Sequence, residues 1–428
     1  MNDAFANPSN LFSLVFAAAL VCGLALKFWL ATRQVKHVLA HRSAVPSVFA
    51  DRIALAAHQK AADYTVTKTR FGMLELAWGV AVTLGWTLLG GLDALNDAVT
   101  QQWGQGLLPQ AGLIGLFIAI NAVIDIPCSL YGTFVIEKNF GFNKTTPQLW
   151  LQDLAKSLVL GLLIGTPLLL LVLWLMGAAG ATWWVWTWGV WMGFNVLAML
   201  IYPTWIAPWF NKFQPLQDEA LATRVQALMQ RCGFKAQGFY VMDGSKRSAH
   251  ANAYFTGFGA SKRVVFYDTL LERLNADEVD AVLAHELGHF AHRHIQKRVV
   301  SLFALSLLGF ALLGWLCTQV WFYTGLGVLP HLHGSNDALA LLLFMLALPP
   351  FTAFIGPIFS GLSRRDEFQA DAYAVNKSSG THLASALLKL YEDNASTLTP
   401  DPWYVRFYYS HPPAVQRLSR MQPEVSPA

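Results

Sequence analysis

The sequence Asn-Ala-Asp-Glu-Val-Asp-Ala-Val-Leu-Ala-His-Glu-Leu-Gly-His, residues 275–289, combines a helix start with a possible metal-binding motif. Asn275 followed by Glu278 is the pattern of a capping box, and the apolar residues that follow recur at helical spacing. His285 and His289 are four residues apart, so on a helix their side chains lie on one face about 6 Å apart. The stretch predicts a well-started helix whose two imidazoles can bind one metal ion.

Glu286 stands directly after the first histidine and completes the pattern His-Glu-x-x-His. In zinc hydrolases with this pattern the two histidines bind Zn²⁺, and the glutamate acts as general base on a water molecule. A catalytic zinc site of this kind also needs a third protein ligand and an open fourth position. The motif therefore predicts one catalytic Zn²⁺ per chain and a third ligand elsewhere in the sequence.

A candidate for that third ligand lies in residues 363–373, where Glu367 and Asp371 are four residues apart. On a helix they share one face, so one carboxylate can bind the metal while the other holds the outer nitrogen of a ligand histidine. His292 is a rival ligand, but three ligands along one helix would spread over about 10 Å, too far for one ion. We interpret His292 and His294 as polar helix residues or as hydrogen-bond partners of the ligands.

The composition places this motif in a membrane protein. Hydrophobic residues make up 54% of the chain and charged residues 13%, against about 25% charged residues in ordinary soluble domains. Seven apolar stretches are long enough to cross about 30 Å of hydrocarbon. They lie at residues 11–31, 72–92, 112–134, 157–177, 182–205, 300–322 and 338–361.

The distribution of Lys and Arg predicts the orientation of these spans. Basic residues follow spans one, three, five and seven, whereas residues 93–111, 178–181 and 323–337 contain no Lys or Arg. The positive-inside rule then places the N-terminus outside, and the C-terminus and the zinc motif on the cytoplasmic side. The net charge of +4 follows from these loops, and no basic run with interleaved aromatic residues indicates a nucleic-acid partner.

The pattern between the fifth and sixth spans indicates a soluble insertion of α+β character. An apolar helical pattern is followed by a short run at 238–242, and residues 251–258 and 263–267 are rich in β-branched and aromatic side chains. Gly257, Gly259 and Ser261 supply a turn between the last two, which predicts a hairpin.

The fold class is therefore mainly α, a polytopic membrane protein of seven helices with a cytoplasmic-facing α+β insertion and a helical tail. The expected units are residues 1–207 with spans one to five, 208–299 with the catalytic insertion, 300–361 with spans six and seven, and 362–428 with the cytoplasmic tail and third ligand.

Several further motifs occur in a fixed order along the chain. They are Glu137-Lys138 with Gly141-Phe142-Asn143 and Asp153, Ile206-Ala207-Pro208 with Lys212-Phe213 and Pro215-Leu216, Gly244-Ser245-Lys246-Arg247-Ser248 leading to Asn252-Ala253-Tyr254-Phe255, Ser363-Arg364-Arg365 through Ala370-Asp371-Ala372, and Ser410-His411-Pro412-Pro413 with Arg417. With the His-Glu-Leu-Gly-His element, the chain resembles the type I CAAX prenyl proteases, integral-membrane zinc metalloendopeptidases with seven spans, over most of its length.

The resemblance implies a role for each matching residue. His285, His289 and Glu367 would bind zinc, Glu286 would be the catalytic base, and Asp371 would orient a ligand. The same resemblance implies that Asn252 and Ala253 lie on an edge strand that binds the substrate backbone, and that His411 and Arg417 line the catalytic cleft, with His411 available to stabilise the oxyanion.

The resemblance also sets expectations for substrate and location. We expect a monomeric bacterial member in the inner membrane, which cleaves the C-terminal part of peptide or protein substrates that can be lipidated. In bacteria, membrane-associated or misfolded proteins are the expected substrates. A transporter or channel with a structural zinc is the alternative, and a closed site with four protein ligands would favour it.

Overall fold

The computed structural model describes residues 7–234, 238–256 and 263–421. Its helices are α1 (Pro8–Ala40), α2 (Leu55–Trp86), α3 (Gly91–Trp103), α4 (Leu107–Tyr131), α5 (Pro147–Leu160), α6 (Thr166–Ala178), α7 (Trp183–Ile201), α8 (Ala207–Phe210), α9 (Glu219–Arg231), α10 (Asp268–Leu271), α11 (Ala276–Ala291), α12 (His294–Leu316), α13 (Val320–Thr324), α14 (Asp337–Thr352), α15 (Gly356–Lys377), α16 (Gly380–Asp393), α17 (Pro402–Tyr408) and α18 (Ala414–Met421). Strands β1 (Phe213–Pro215), β2 (Gly238–Met242), β3 (Ala253–Thr256) and β4 (Arg263–Tyr267) form one sheet.

In the part of the chain that the structure describes, six helical runs are long and apolar enough to cross a membrane, and a bent pair of helices makes a seventh. The runs are Pro8–Ala40, Leu107–Glu137, Pro147–Ala178, Gly180–Phe210, His294–Leu316 and Asp337–Lys377. Helices α2 and α3 form the bent pair, with an angle of 48° between them. Each of the seven predicted spans overlaps one of these elements, so the prediction of a polytopic helical membrane protein is confirmed.

The bend between α2 and α3 occurs where the predicted second span ends. Helix α2 stops at Trp86, and Gly90 adopts a left-handed conformation with φ of 78° immediately before α3. Such a conformation favours glycine because it has no Cβ. The chain therefore changes direction at this point, and the 13-residue helix α3 extends beyond the predicted span into residues that the prediction left in a loop.

The sheet has the strand order β1-β2-β4-β3. Strands β2 and β4 are parallel, whereas β1 pairs antiparallel with β2, and β3 pairs antiparallel with β4. The antiparallel pairing of β3 with β4 confirms the predicted hairpin partners, while the predicted turn residues Gly257, Gly259 and Ser261 lie outside the described residues. Strand β3 is at one edge of the sheet, so its outer side has no strand partner within the described sheet.

Helix α11 begins as the sequence predicts. The Asn275 side chain accepts a hydrogen bond from the Glu278 backbone at 3.0 Å, and the Glu278 carboxylate accepts one from the Asn275 backbone at 2.9 Å. Glu278 is buried and also pairs with Lys389 of α16 at 2.7 Å. The capping box thus fixes the start of α11 and joins it to α16.

Helix α11 crosses α15 at very short range around Gly288. A Cβ atom added to Gly288 would lie 2.8 Å from the Cα of Ala370 and 3.1 Å from the Cβ of Tyr373. Only a residue without a side chain allows the two backbones to approach so closely. Because α15 continues the run Asp337–Lys377, this contact joins the histidine helix to the helix that follows the last membrane span.

A second connection joins the sheet to the membrane helices. The Arg247 guanidinium donates to both carboxylate oxygens of Asp153 on α5, at 2.8 and 2.9 Å, and to the Asn211 side chain at 2.8 Å. The backbone of Ala249 also donates to the Phe142 carbonyl at 3.1 Å. These bonds fix the segment that leads into Asn252 and β3, and a bidentate arginine pair gives this connection a defined geometry.

Replacing Gly288 by Ala should destabilise the crossing of α11 and α15, because the added methyl group meets backbone atoms that cannot rotate away. We expect a loss of about 1–3 kcal/mol in the free energy of unfolding, measured by thermal denaturation of the purified detergent-solubilised protein. Gly309→Ala on α12 is the matched control, since nothing lies within 4 Å of its added Cβ. Equal melting temperatures for the Gly288→Ala variant and the parent chain would contradict this account of the crossing.

Candidate metal centre

Helices α11 and α15 bring the three predicted ligands together. Nε2 of His285 and Nε2 of His289 are 3.4 Å apart. The Glu367 carboxylate of α15 lies opposite them, with Oε2 3.4 Å from Nε2 of His285 and Oε1 3.4 Å from Nε2 of His289. Among the described residues, these three form the group of His, Cys, Asp and Glu side chains that could hold one metal ion.

The spacing of these atoms fits a tetrahedral ion. Two ligands at about 2.0–2.1 Å from Zn²⁺ with a tetrahedral angle between them are roughly 3.3 Å apart, close to the 3.4 Å observed between these atoms. Oε2 of Glu367 is moreover buried without any hydrogen-bond partner in the described chain. A buried carboxylate oxygen without a partner is costly, and a bound cation would satisfy it, so the donor set fits a metal.

The outer nitrogen of His285 is held by a buried ion pair. Nδ1 of His285 donates to Oδ1 of Asp371 at 2.8 Å, and Arg417 of α18 donates to both oxygens of the same carboxylate, at 2.8 and 2.5 Å. The side chains of Asp371 and Arg417 are 4% and 5% exposed. This arrangement fixes the orientation of the His285 ring with Nε2 directed toward His289 and Glu367.

His289 is oriented by a different chain of side chains. Its Nδ1 lies 3.1 Å from Nδ1 of His294, whose Nε2 lies 2.9 Å from the Gln369 amide oxygen. If Nε2 of His289 binds a metal, its Nδ1 carries the proton and donates to His294, which in turn donates to Gln369. The sequence had indicated His294 as a possible partner of the ligands, but Gln369 was missed.

The position of His292 has a structural explanation. Helix α11 ends at Ala291, His292 is the C-terminal cap, and Arg293 adopts a left-handed conformation with φ of 58° before α12 begins. The chain therefore leaves the helix axis directly after His292, and among the described residues the group that could hold a metal ion contains His285, His289 and Glu367 without His292. His294 is buried at the start of α12, where it meets His289.

The electrostatic surroundings suit a cation and a proton acceptor. Burial lowers the pKa of His285, but its interactions with the nearby Asp371 and Glu367 carboxylates outweigh burial and raise the pKa to about 9. Burial raises the pKa of the Glu286 carboxyl, and the nearby histidines offset only part of that effect. The negative surroundings of His285 favour a positive ion, while Glu286 takes up a proton more readily than an exposed carboxylate.

A cavity of about 710 Å³ lies beside the centre and brings the other predicted site residues into one place. Asn252, His411 and Arg417 all line it. Nε2 of His411 is 3.3 Å from Oε1 of Glu367, and its side chain is 63% exposed. Asn252 leads into the edge strand β3, where Ala253 pairs with Phe266 of β4.

The cavity wall also contains residues that the sequence did not single out. Tyr64 and Lys68 of α2 line it, and both contact Glu137, whose Oε1 lies 2.6 Å from the Tyr64 hydroxyl and 3.3 Å from Lys68 Nζ. Glu137 had been noted only as part of a motif. The one available signal was the spacing of Tyr64 and Lys68, which are one helical turn apart just before the second predicted span.

Comparisons with known proteins agree with this geometry. Residues 34–212 match the family model described as CAAX prenyl protease N-terminal, five membrane helices, and residues 215–425 match Peptidase family M48. CAAX prenyl protease 1 of Saccharomyces cerevisiae is 32% identical over 97% of this chain and 96% of its own length. A CAAX prenyl protease 1 homolog of Arabidopsis thaliana is 37% identical over 83% of this chain and 80% of its own length.

A solved structure has the same fold. The crystal structure of S. mikatae Ste24p superposes with a TM-score of 0.88 at 31% identity, covering 96% of this chain and 99% of that chain. Membership of a peptidase family favours an enzyme over the transporter or channel that the sequence had left open. The chain belongs to the CAAX prenyl protease 1 family within peptidase family M48 and is an integral-membrane metalloprotease.

Proposed function

We propose that this chain is a zinc endopeptidase that cleaves peptide bonds near the C-terminus of membrane-bound protein substrates, with prenylated tails as the substrate class. The observation that carries the proposal is the triangle of Nε2 of His285, Nε2 of His289 and the Glu367 carboxylate at 3.4 Å spacing, with Glu286 beside it. The prenylated substrate is taken from the names of the relatives, CAAX prenyl protease 1.

In this proposal His285, His289 and Glu367 hold one zinc ion, which supplies Lewis-acid activation of a water molecule and of the scissile carbonyl. Glu286 accepts a proton from the water molecule as the water oxygen bonds to the carbonyl carbon. The same carboxyl group then gives that proton to the leaving nitrogen as the carbon–nitrogen bond breaks. His411, on the cavity wall 3.3 Å from Glu367, donates a hydrogen bond to the oxyanion.

Substrate binding is assigned to the edge of the sheet. An extended peptide can add to the outer side of β3 through backbone hydrogen bonds, beginning at Asn252 and Ala253. The Asn252 side chain accepts from the backbone of Ala253 at 2.8 Å, and its carbonyl accepts from Tyr267 at 3.0 Å, which holds this strand end in place. Arg417 contacts Asp371, so we assign it both to the cavity wall and to the positioning of His285 through that carboxylate.

Glu286→Gln should retain zinc and the fold, but its rate of peptide hydrolysis should be lower than that of the parent chain by about 10²- to 10⁴-fold. The reason is that an amide of the same volume cannot accept the proton of the water. The measurement is kcat for a fluorogenic peptide with purified protein of known zinc content. Glu272→Gln, at an exposed glutamate outside the cavity, should keep the parent rate. Unchanged hydrolysis by the Glu286→Gln variant would remove Glu286 from this role.

Glu367→Ala and Asp371→Asn should separate metal binding from ligand orientation. Without Glu367 the site keeps only two protein ligands, so the purified variant should contain far less than one zinc per chain. Asp371→Asn keeps a side chain of the same shape beside His285 and should weaken zinc affinity by about 10- to 100-fold. Metal analysis after dialysis against a graded zinc buffer measures both effects. Full zinc occupancy in Glu367→Ala would show that the third ligand lies elsewhere.

We further propose that the chain lies in a bacterial inner membrane as a monomer, with its N-terminus outside and the zinc centre on the cytoplasmic side. The support for this orientation is the contrast between the basic loop of residues 41–54 and residues 91–110, which contain no Lys or Arg. In such a cell, membrane-associated or misfolded proteins would be the substrates.

This orientation predicts the labelling of single cysteines in a variant whose four natural cysteines are replaced by serine. Gln102→Cys, exposed near the end of α3, should react with a membrane-impermeant maleimide applied to intact cells. Asp51→Cys, exposed between α1 and α2, should react only after the cells are lysed. The opposite pattern would place the zinc centre on the other side of the membrane.

A further inference from the structure

Among the described residues, two permanently positive side chains lie on the wall of the cavity beside the metal centre, those of Arg417 and Lys68, and of these the Lys68 side chain is the one exposed to a ligand. Arg417 is 5% exposed and is bound to Asp371 through two hydrogen bonds. The Lys68 side chain is 54% exposed. A negatively charged group that enters the cavity can therefore approach the exposed Lys68 directly, whereas Arg417 is buried against Asp371.

The position of the Lys68 ammonium group is fixed by aromatic and acidic neighbours. Its Nζ lies 3.1 Å from the Tyr64 hydroxyl, 3.3 Å from Oε1 of Glu137 and 4.9 Å from the centre of the Tyr64 ring. The Tyr64 hydroxyl in turn donates to Glu137 at 2.6 Å. An ammonium group has three N–H donors, and the two protein partners leave one for a further acceptor.

The positive charge of this cluster lies on the cavity side, and its negative charge does not. Lys68, Tyr64 and His250 line the cavity, whereas Glu137 is not part of the lining and its side chain is 25% exposed. The negative charge thus lies behind the positive one as seen from the cavity. An anion on the cavity side is closer to Lys68 than to Glu137, and Coulomb attraction prevails over repulsion at that position.

We propose that Lys68 binds the terminal carboxylate of the substrate, which would make the enzyme selective for tails that end shortly after the scissile bond. This assignment rests on the proposed cleavage of C-terminal tails. Three residues in extended conformation span about 10 Å, so the carboxylate of a short tail stays within a cavity of about 710 Å³. Lys68 and the substrate-binding residue Asn252 line this same cavity, so a peptide held along β3 can extend its terminus toward α2.

The test uses the full chain with zinc in lipid nanodiscs and two peptides. Both peptides carry a farnesylated cysteine followed by three residues, and one ends in a free carboxylate while the other ends in an amide. For the parent chain we expect KM for the acid to be about tenfold lower than KM for the amide, the effect of one hydrogen bond between charged groups. In Lys68→Gln, KM for the acid should rise to the value of the amide, with KM for the amide and both kcat values unchanged.

Two further variants and a binding measurement complete the experiment. Lys68→Arg keeps the charge and should retain the preference for the acid. Lys60→Gln is the matched control, because Lys60 lies two turns earlier on α2, packs over the Phe142 ring and is not part of the cavity lining. Fluorescence anisotropy with the inactive Glu286→Gln variant measures the dissociation constants of the two peptides, which should differ by the same factor. When Lys68→Gln is added to that variant, the two dissociation constants should become equal.

The outcomes separate this assignment from the proposed function. The role of Lys68 would be overturned if the parent chain had equal KM values for the acid and the amide. It would also be overturned if Lys68→Gln raised KM equally for both peptides. Either result would leave the proposed peptidase activity intact. If the parent chain hydrolyses neither peptide, the proposed cleavage of such tails is wrong. In that case the binding difference between acid and amide still decides whether Lys68 recognises a terminal carboxylate.

Discussion

The metal centre depends on the close crossing of α11 and α15 at Gly288. A single methyl group at this position would overlap the backbone of Ala370, so the separation of the two helices is set by backbone contact. That separation decides whether Glu367 lies within reach of His285 and His289, since a shift of 1 Å would change both 3.4 Å distances from the Glu367 carboxylate to the two histidines. Tight packing of this kind transmits strain because interiors have few voids to absorb it.

The rings of the two histidines are then fixed by residues from other helices. Asp371 and Arg417 orient His285, while His294 and Gln369 orient His289. Burying the charges of Asp371 and Arg417 costs desolvation free energy, which their mutual attraction offsets. If either residue were removed, the other would be left as an unpaired buried charge. Because Arg417 lies on α18, these bonds connect this last described helix to the metal centre. Arg417 also lines the cavity beside the centre.

Local patterns in the sequence predict the elements of this structure better than their relative placement. The capping box at Asn275, the apolar spans and the pairing of β3 with β4 all follow from residues that are near one another in the chain. The spacing of Glu367 and Asp371 predicted the helix that carries them, but its continuity with the last apolar span, as one helical run from Asp337 to Lys377, was not predicted, because its polar residues do not resemble a membrane span. The His-Glu-x-x-His motif predicted His285, Glu286 and His289, and helical spacing offered Glu367 and Asp371 as further candidates. The roles of Asn252, Ala253, His411 and Arg417 were assigned through the family resemblance, since no local pattern links them to His285.

The residues that escaped prediction share a physical reason. Gln369 contacts His294, which is more than 70 residues away in the chain. Lys68 lies on a cavity wall where α2 meets Glu137, in the segment before α5. Such partners can be recognised only when the helices are placed together. Strand β1 was missed for a related reason, since three residues give too short a pattern and its pairing with β2 is what defines it.

The connection between the bilayer and the metal centre has a consequence for the choice of substrate. Glu367 lies on a helical run that begins at Asp337 inside the apolar part of the chain, and Arg247 ties the approach to β3 to membrane helix α5. The proposed metal ligand Glu367 and the strand that would bind substrate are therefore both attached to helical runs that could cross a membrane, which would hold them at a fixed height relative to it. A substrate anchored in the same bilayer presents its tail at a defined height as well, so much of the entropy cost of positioning the scissile bond is removed before it reaches the site.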